Sequence, residues 1–528
     1  MIARKRIYCE PRAISFARLL LACEIVCESL ADFSRKSRLF VCWVCTSCFG
    51  INSSPAPKML TKQKLRSSLE LLKRYEWLLN AYVMDFYVDD HWSKLPDSWQ
   101  HHLESIPIER FEALLYISDS EAAPNTTSIV WPLELLALRG ALRNLCIART
   151  EENQPKESFP CPLLHHHKLK HLFMKRVKPK KQHEITRMAE ICALSCRTTP
   201  VDFVVDFGAG VGHLARILGY GFGIQVCCFE MQAELNQQAV AIDMKLESIA
   251  SKLTEASGYK RPVHLTQRLE SNTQPAQFIA GIRDTLQLAS DDFRFGIIGL
   301  HPCGNLGATL MRTFLGCSQA KFLNFVGCCY QKMSTPATHP GAEVHGYPLS
   351  SFLQSKPDTD TQLSYEAREI SCHAMEVYRD RLQAGQYDHL KIHSFRAAAE
   401  RIIVQQFPHL RHCALRNVKH APGMSFDDYF QKAVQGTRFE MLERQVLSIR
   451  QCVADVKHWK RLVIFYTLRL MLAPLVESII LYDRALFLSE NDCQVEVQAI
   501  FNPRLSPRNH ITRAVKTRRC LSNNLGQQ

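Results

Sequence analysis

A buried strand that empties into a glycine turn, followed by a helix and a second strand ending in an acid, constrains this chain more than any other feature. Val204 and Val205 lead into Asp206-Phe207-Gly208-Ala209-Gly210-Val211-Gly212, after which His213 to Leu218 carry helical spacing. Glycines in such a turn let backbone amides approach a polar ligand without a Cβ in the way, and the helix N-terminus adds positive polarity. Ile224 to Phe229 reads as a second apolar strand and ends at Glu230. The first two strands of a doubly wound sheet are neighbours, so this acid can accept hydrogen bonds from both hydroxyls of a ribose. Asp206, Gly208, Gly210, Gly212 and Glu230 are therefore the candidate cofactor contacts. Glycines alone would signify only turns; the ordered succession of strand, turn, helix, strand and acid carries the nucleoside reading.

The pattern continues downstream. Phe295 to Leu300 is a strand ending in His301-Pro302-Cys303-Gly304-Asn305-Leu306, Ala308 to Leu315 a helix, and Phe322 to Val326 a strand ending in Gly327-Cys328-Cys329-Tyr330. Alternating strands and helices imply a parallel α/β sheet with its crevice beyond the carboxyl ends of the strands, where both turns open. A dinucleotide needs a second nucleotide-binding half, and no second glycine-rich unit of comparable quality follows. This favours S-adenosylmethionine over NAD. His301, Cys303 and Tyr330 are the catalytic candidates: His301 and Tyr330 as orienting or proton-handling groups, Cys303 as a pocket thiol or a nucleophile with His301 as base. Methyl transfer from a sulfonium needs no covalent enzyme intermediate, which favours the former role for Cys303. His301, Cys303, Cys328 and Cys329 are suitable zinc ligands, but free cysteines also pack as small hydrophobes, and no metal is expected.

Around this core the chain of 528 residues, 46% hydrophobic and 22% charged, divides into further regions. Residues 1–59 lack periodicity, carry Cys42, Cys45 and Cys48, and read as a weakly structured leader whose acids argue against a mitochondrial signal. Residues 60–190 form a helical accessory region in which Phe86, Tyr87, Trp92, Trp99 and Trp131 suit a core better than a ligand surface. It ends in the basic run Lys168, Lys170, Lys175, Arg176, Lys178, Lys180 and Lys181. With a net charge of +14 this run suits a polyanion such as RNA or a ribonucleoprotein, although a solvated face would look the same. The first part of the core occupies 191–334, and a helical insertion or substrate region 335–455. There Glu369, His373 and Glu376 can share one face of a helix, and Arg396 can hold an anionic substrate. Residues 456–516 complete the core. Leu462 to Leu488 is apolar but broken by Arg469, Glu477, Asp483 and Arg484, which suits a buried helix and not a membrane span. Cys493 to Ile500 and His510 to Val515 read as an antiparallel pair closing the sheet, and 517–528 as a flexible tail. Twenty-one irregularly spaced cysteines point to a reducing cytoplasmic or nuclear setting without structural disulfides.

The chain resembles the methyltransferase-like protein 25 family, including its branch named ribosomal RNA adenine dimethylase domain-containing. The residues that carry the resemblance are Lys180-Lys181-Gln182-His183-Glu184-Ile185, the loop from Asp206 to Gly212, Gly299 to Gly304 and Val326 to Tyr330. It extends through Gly346 to Ser350, Cys372 to Ala374, Phe395 to Glu400, Ala473 to Ser478 and Leu505 to Asn509. The resemblance implies a Rossmann-like class I S-adenosylmethionine-dependent methyltransferase fold with a helical N-terminal region and a large helical insertion. Enzymes that methylate exocyclic amines commonly carry Asn or Asp, Pro-Pro and an aromatic residue where this chain has His301-Pro302-Cys303-Gly304. The paired turns are similar to those of a transfer RNA ribose methyltransferase family. RNA ribose or base methylation is one expectation this supports, with Lys180, Lys181, Cys328, Cys329 and Arg396 as substrate contacts. A protein or small-molecule acceptor, or an inactive binding scaffold, is the alternative.

Overall fold

The structure, a computed structural model, describes residues 57–116, 129–151, 171, 173–174, 177–253, 258–437, 439–440 and 450–517. The cysteines of the leader, Lys168, Lys170, Lys175, Arg176 and the tail beyond Thr517 lie outside the described residues.

Five parallel strands form the centre: β1 (Phe203–Phe207), β2 (Val226–Glu230), β3 (Val263–Thr266), β4 (Phe295–Leu300) and β5 (Ala320–Val326). Two more, β6 (Cys493–Ala499) and β7 (His510–Lys516), join antiparallel, giving the order β3-β2-β1-β4-β5-β7-β6. The expected closing pair thus lies in the same sheet as the glycine-loop strand. β1, β2 and β4 are buried along their whole length, as strands covered on both faces must be, and this is why they read as continuous apolar runs. Side chains alternate between the two layers: Val204 packs with Ile185, Met188 and Leu214, while Val205 and Phe207 pack with Phe278 and Phe314. The chain reverses direction across the sheet between β1 and β4, so their carboxyl ends flank the switch-point crevice.

The helical parts that flank the core in sequence share one apolar cluster. Leu78, Trp99 and Leu135 from the N-terminal side pack with Leu363, Leu390, Phe465 and Leu475 from the segment after β5. The aromatic residues Phe86, Tyr87, Trp92, Trp99 and Trp131 are all buried, which settles them as core. Helices Trp459–Met471 and Ala473–Glu490 run nearly end to end; together they are long and apolar enough to cross a membrane, yet their most apolar stretch is almost wholly buried within the protein. The charges that interrupt it have buried partners. Asp483 accepts hydrogen bonds from the backbone amides of Leu349 and Ser350, and Arg469 donates to the carbonyls of Leu78 and Leu79.

Candidate active site

The glycine loop and the acid meet. Glu230, at the end of β2, accepts a hydrogen bond on Oε2 from the Gly210 amide at 2.9 Å and on Oε1 from the Gln232 amide at 3.0 Å. Each carboxylate oxygen keeps a second lone pair for a ligand. Gly208, Gly210 and Gly212 all have positive φ (71°, 58° and 75°), the left-handed region that glycine enters without strain. They differ in what surrounds them. A Cβ on Gly210 would meet nothing within 4 Å, so open space lies over the loop, whereas one on Gly212 would come within 3.0 Å of His264 Cε1.

Gly212 is therefore a glycine that packing as well as backbone conformation requires. It sits over a buried cluster in which Asp243 pairs with Arg216 at 2.5 Å and His264 at 2.7 Å, and Arg216 also donates to the Val211 carbonyl. Four amides of the loop are committed as well: Gly208 and Ala209 donate to Phe229, Gly210 to Glu230 and Gly212 to Ala209. What the turn offers a ligand is room and a carboxylate, more than a set of free amides.

Asp206, one residue before the end of β1, is buried; burial pushes its carboxyl up to about 7, with Lys181 opposing and Glu230 adding. Burial also holds the Lys181 ammonium below its ordinary range, against the pull of Glu184 and Asp206. Lys181 thus belongs to the acidic floor of the crevice, while Lys180 is half-exposed, 3.8 Å from Glu184. Both lie in the first turns of helix Pro179–Thr198. Met231, directly after Glu230, leaves an apolar side chain 59% exposed and can cover the flat face of a base. Its position next to the acid was the available signal.

His301 directly follows β4 in the left-handed conformation (φ 68°), uncommon for a residue with a side chain and frequent at functional sites. Its amide donates to Val326 on β5, and its Nε2 lies 2.9 Å from Glu184 Oε1. Nδ1 is buried with no hydrogen-bond partner. Glu184 is the residue the sequence reading missed as part of the site, although it stands in a quoted block. Burial would raise its carboxyl, but His301 and Ser506, which hydrogen-bonds it at 2.6 Å, together with Lys180 hold it below the ordinary range. With Nε2–H directed at a carboxylate, neutral His301 presents Nδ1 as acceptor.

Cys303, Cys328 and Cys329 converge, their sulfurs 3.1 to 3.4 Å apart. The hydrogen bond from Cys328 brings the Cys303 thiol down to about 5, against burial and with help from Cys329, Lys332 and His301. Two expected residues do not join the site. Tyr330 is 1% exposed, and its hydroxyl donates to Glu477 at 3.2 Å, so it anchors the turn bearing the cysteines and does not handle a substrate proton. Arg396 donates to Asn417 from helix Asp388–Gln406, which packs against the turn at Val83–Asp85 and other helices, away from the strand ends. The Glu369–His373–Glu376 face also divides: His373 pairs with Glu369 at 2.6 Å, while Glu376 turns to Arg149.

Residues 180–336 match the family described as Methyltransferase domain. The match begins at Lys180 and ends just past the Tyr330 turn, so it takes in the glycine loop, Glu230, Glu184, His301 and all three clustered cysteines. Among curated proteins the chain is similar to human "Probable methyltransferase-like protein 25", 25% identical over 289 residues, or 53% of this chain and 44% of that one. The mouse protein of the same name is 24% identical over 290 residues, covering 53% of this chain and 45% of its own. The chain thus spans under half the length of the relatives it matches. The expected similarity to the methyltransferase-like protein 25 family and the Rossmann-like α/β methyltransferase fold both hold.

Proposed function

We propose that this chain transfers a methyl group from S-adenosylmethionine to a nucleophilic atom of an RNA. The observation that carries the cofactor reading is the 2.9 Å contact between Glu230 and the Gly210 amide, which joins the acid to the loop beneath open space. The residues suit this cofactor: two carboxylate oxygens for a ribose diol, a buried acid for an ammonium, and an exposed Met231 for the base. Bound S-adenosylmethionine supplies an electrophilic methyl on a sulfonium. The protein's part is to align the acceptor, exclude water and take the proton the acceptor loses. Glu184 fixes the His301 ring just past the end of β4, and His301 is the group proposed to receive that proton. The net charge of +14 and the half-exposed Lys180 at the entrance favour a polyanionic acceptor.

The test follows radiolabelled methyl from S-adenosylmethionine into RNA, protein and small-molecule fractions, beside a Gly210→Arg variant whose side chain fills the space over the loop. Label in RNA with the natural chain and none with the variant is the expected result. Label in another fraction replaces the RNA assignment. Cofactor binding with no label anywhere makes the chain a scaffold, and equal labelling by both proteins removes the enzymatic reading.

Asp206 adds a pH signature. Its buried carboxyl, up at about 7 and faced by Lys181 and Glu230, must ionise to receive the cofactor's ammonium. Binding near pH 6 therefore releases close to one proton, and affinity rises with pH until about 7 and falls again above about 8, where a free α-ammonium loses its own proton. Calorimetry in buffers of different ionisation enthalpy measures this directly. An apparent enthalpy independent of buffer would exclude Asp206 from the ammonium site.

A further inference from the structure

The sulfur cluster at the ends of β4 and β5 is more than the methyl-transfer reading uses. Cys303 comes from the turn after β4, and Cys328 and Cys329 from the turn after β5; Cys303 and Cys328 sulfurs lie 3.1 Å apart, Cys303 and Cys329 3.3 Å, and Cys328 and Cys329 3.4 Å. The backbone keeps the two turns together. Gly304, with φ 58°, approaches the Lys332 carbonyl so closely that a Cβ would lie 2.8 Å from it. Asn305 reaches across as well, donating to the Ser334 hydroxyl and accepting from the Ser334 amide, each at 2.8 Å. Three thiols from two turns are thus pre-assembled by contacts that do not involve sulfur.

We propose that Cys303, Cys328 and Cys329 form a three-thiolate site for a thiophilic d10 cation, Zn2+ in particular, with its fourth coordination position open. This replaces the sequence expectation of a metal-free pocket. Three sulfurs at the corners of a triangle match three corners of the tetrahedron that Zn2+ adopts, with Zn–S bonds of about 2.3 Å. Such bonds separate sulfurs by about 3.8 Å, so the triangle opens by roughly half an ångström to seat the ion. The exposed Cys303 has the freedom to make that change. Thiolates select soft cations over Mg2+ or Ca2+, which prefer oxygen ligands. Cys372 belongs to a different set of contacts, directed at the Cys328 carbonyl and at Gln331. Three protein ligands and one vacancy is the arrangement that lets a zinc ion take a ligand from outside, and the vacancy opens beside the same strand ends as His301.

The test uses the full chain, reduced and stripped of metal, and then titrated with Co2+ or Zn2+. Co2+ is expected to give a sulfur-to-metal charge-transfer band in the near ultraviolet that Zn2+ displaces. Cys303→Ser should lower metal content by about one equivalent per chain, while Cys413→Ser, an exposed cysteine elsewhere, leaves it unchanged. The difference between variant and natural chain excludes any metal held by Cys42, Cys45 and Cys48. Alkylation mapped residue by residue provides a reading without mutation: Zn2+ should protect Cys303, Cys328 and Cys329 but leave Cys413 reactive. Equal alkylation of the three with and without Zn2+, or metal content unaltered by Cys303→Ser, would overturn the site.

Discussion

Replacing Glu230 by alanine is expected to weaken S-adenosylmethionine binding by about 100-fold or more while the chain stays folded. A carboxylate accepting from two ribose hydroxyls makes two charge-assisted hydrogen bonds, each worth roughly 1.5–3 kcal/mol. Losing both removes about 3 kcal/mol at the least, and 1.4 kcal/mol is a factor of about ten in affinity. Glu230 also organises the loop it faces, through Gly210 and Gln232. Alanine therefore loses the ligand contacts and frees the turn together, whereas Glu230→Gln keeps an acceptor at the same place and should show an intermediate loss. Equilibrium dialysis with labelled cofactor, beside thermal unfolding of each variant, separates binding from stability. An alanine variant that binds as tightly as the natural chain would place the cofactor elsewhere and remove the basis of the proposed chemistry.

The core strands were legible because the sheet is parallel and covered on both faces. Phe295–Leu300 appears in the sequence as an uninterrupted apolar run for the same reason that every one of its residues is buried. β3 left no such trace: Val263–Thr266 is a four-residue edge strand, only partly buried, and two of its residues are His264 and Thr266. At the site, residue type and strand end were readable, but commitments made by distant parts of the chain were not. Nothing in the sequence around Tyr330 signals Glu477 on its hydroxyl, and nothing around His301 signals Glu184 on Nε2. Gly212 has the same sequence appearance as Gly210; the packing of His264 from β3, Arg216 and Ala239 around it distinguishes them. The blocks near the end of the chain that carried the resemblance have a structural explanation. Ala473 to Ser478 contributes Glu477, and Leu505 to Asn509 contributes Ser506 to Glu184 and Arg508 to the surroundings of Glu477.

That buried charge cluster supports the largest effect on stability. Arg149 donates to Glu376 at 2.6 Å, to Glu477 at 2.6 Å and to the Pro507 carbonyl at 2.9 Å, and so joins the N-terminal helical part, the segment after β5, helix Ala473–Glu490 and the approach to β7. Burial alone would raise both glutamates. Arg149 reverses this for Glu376, and Arg508 with Arg149 does so for Glu477, so both carboxyls are held below their ordinary range. Carboxyls with lowered values contribute stability that is present above about pH 4.5 and lost as pH falls through their folded values. Arg149→Met strands Glu376 in a buried site and leaves Glu477 with Arg508 and His510, each 3.7 Å away. Removing one member of a buried ion cluster costs about 3–5 kcal/mol, because the remaining charge is uncompensated. In the variant, burial governs Glu376 and carries its value above the unfolded one, so stability now declines as pH rises through that range. The gap between natural and variant chains in urea unfolding should therefore be widest near pH 7 and narrow toward about pH 5. Adding Glu376→Leu to Arg149→Met should recover part of the loss, since an apolar replacement needs no counter-charge. A single variant that loses less than about 1 kcal/mol at pH 7, or a gap that widens on acidification, would mean that packing and not this cluster joins the helical parts to the sheet.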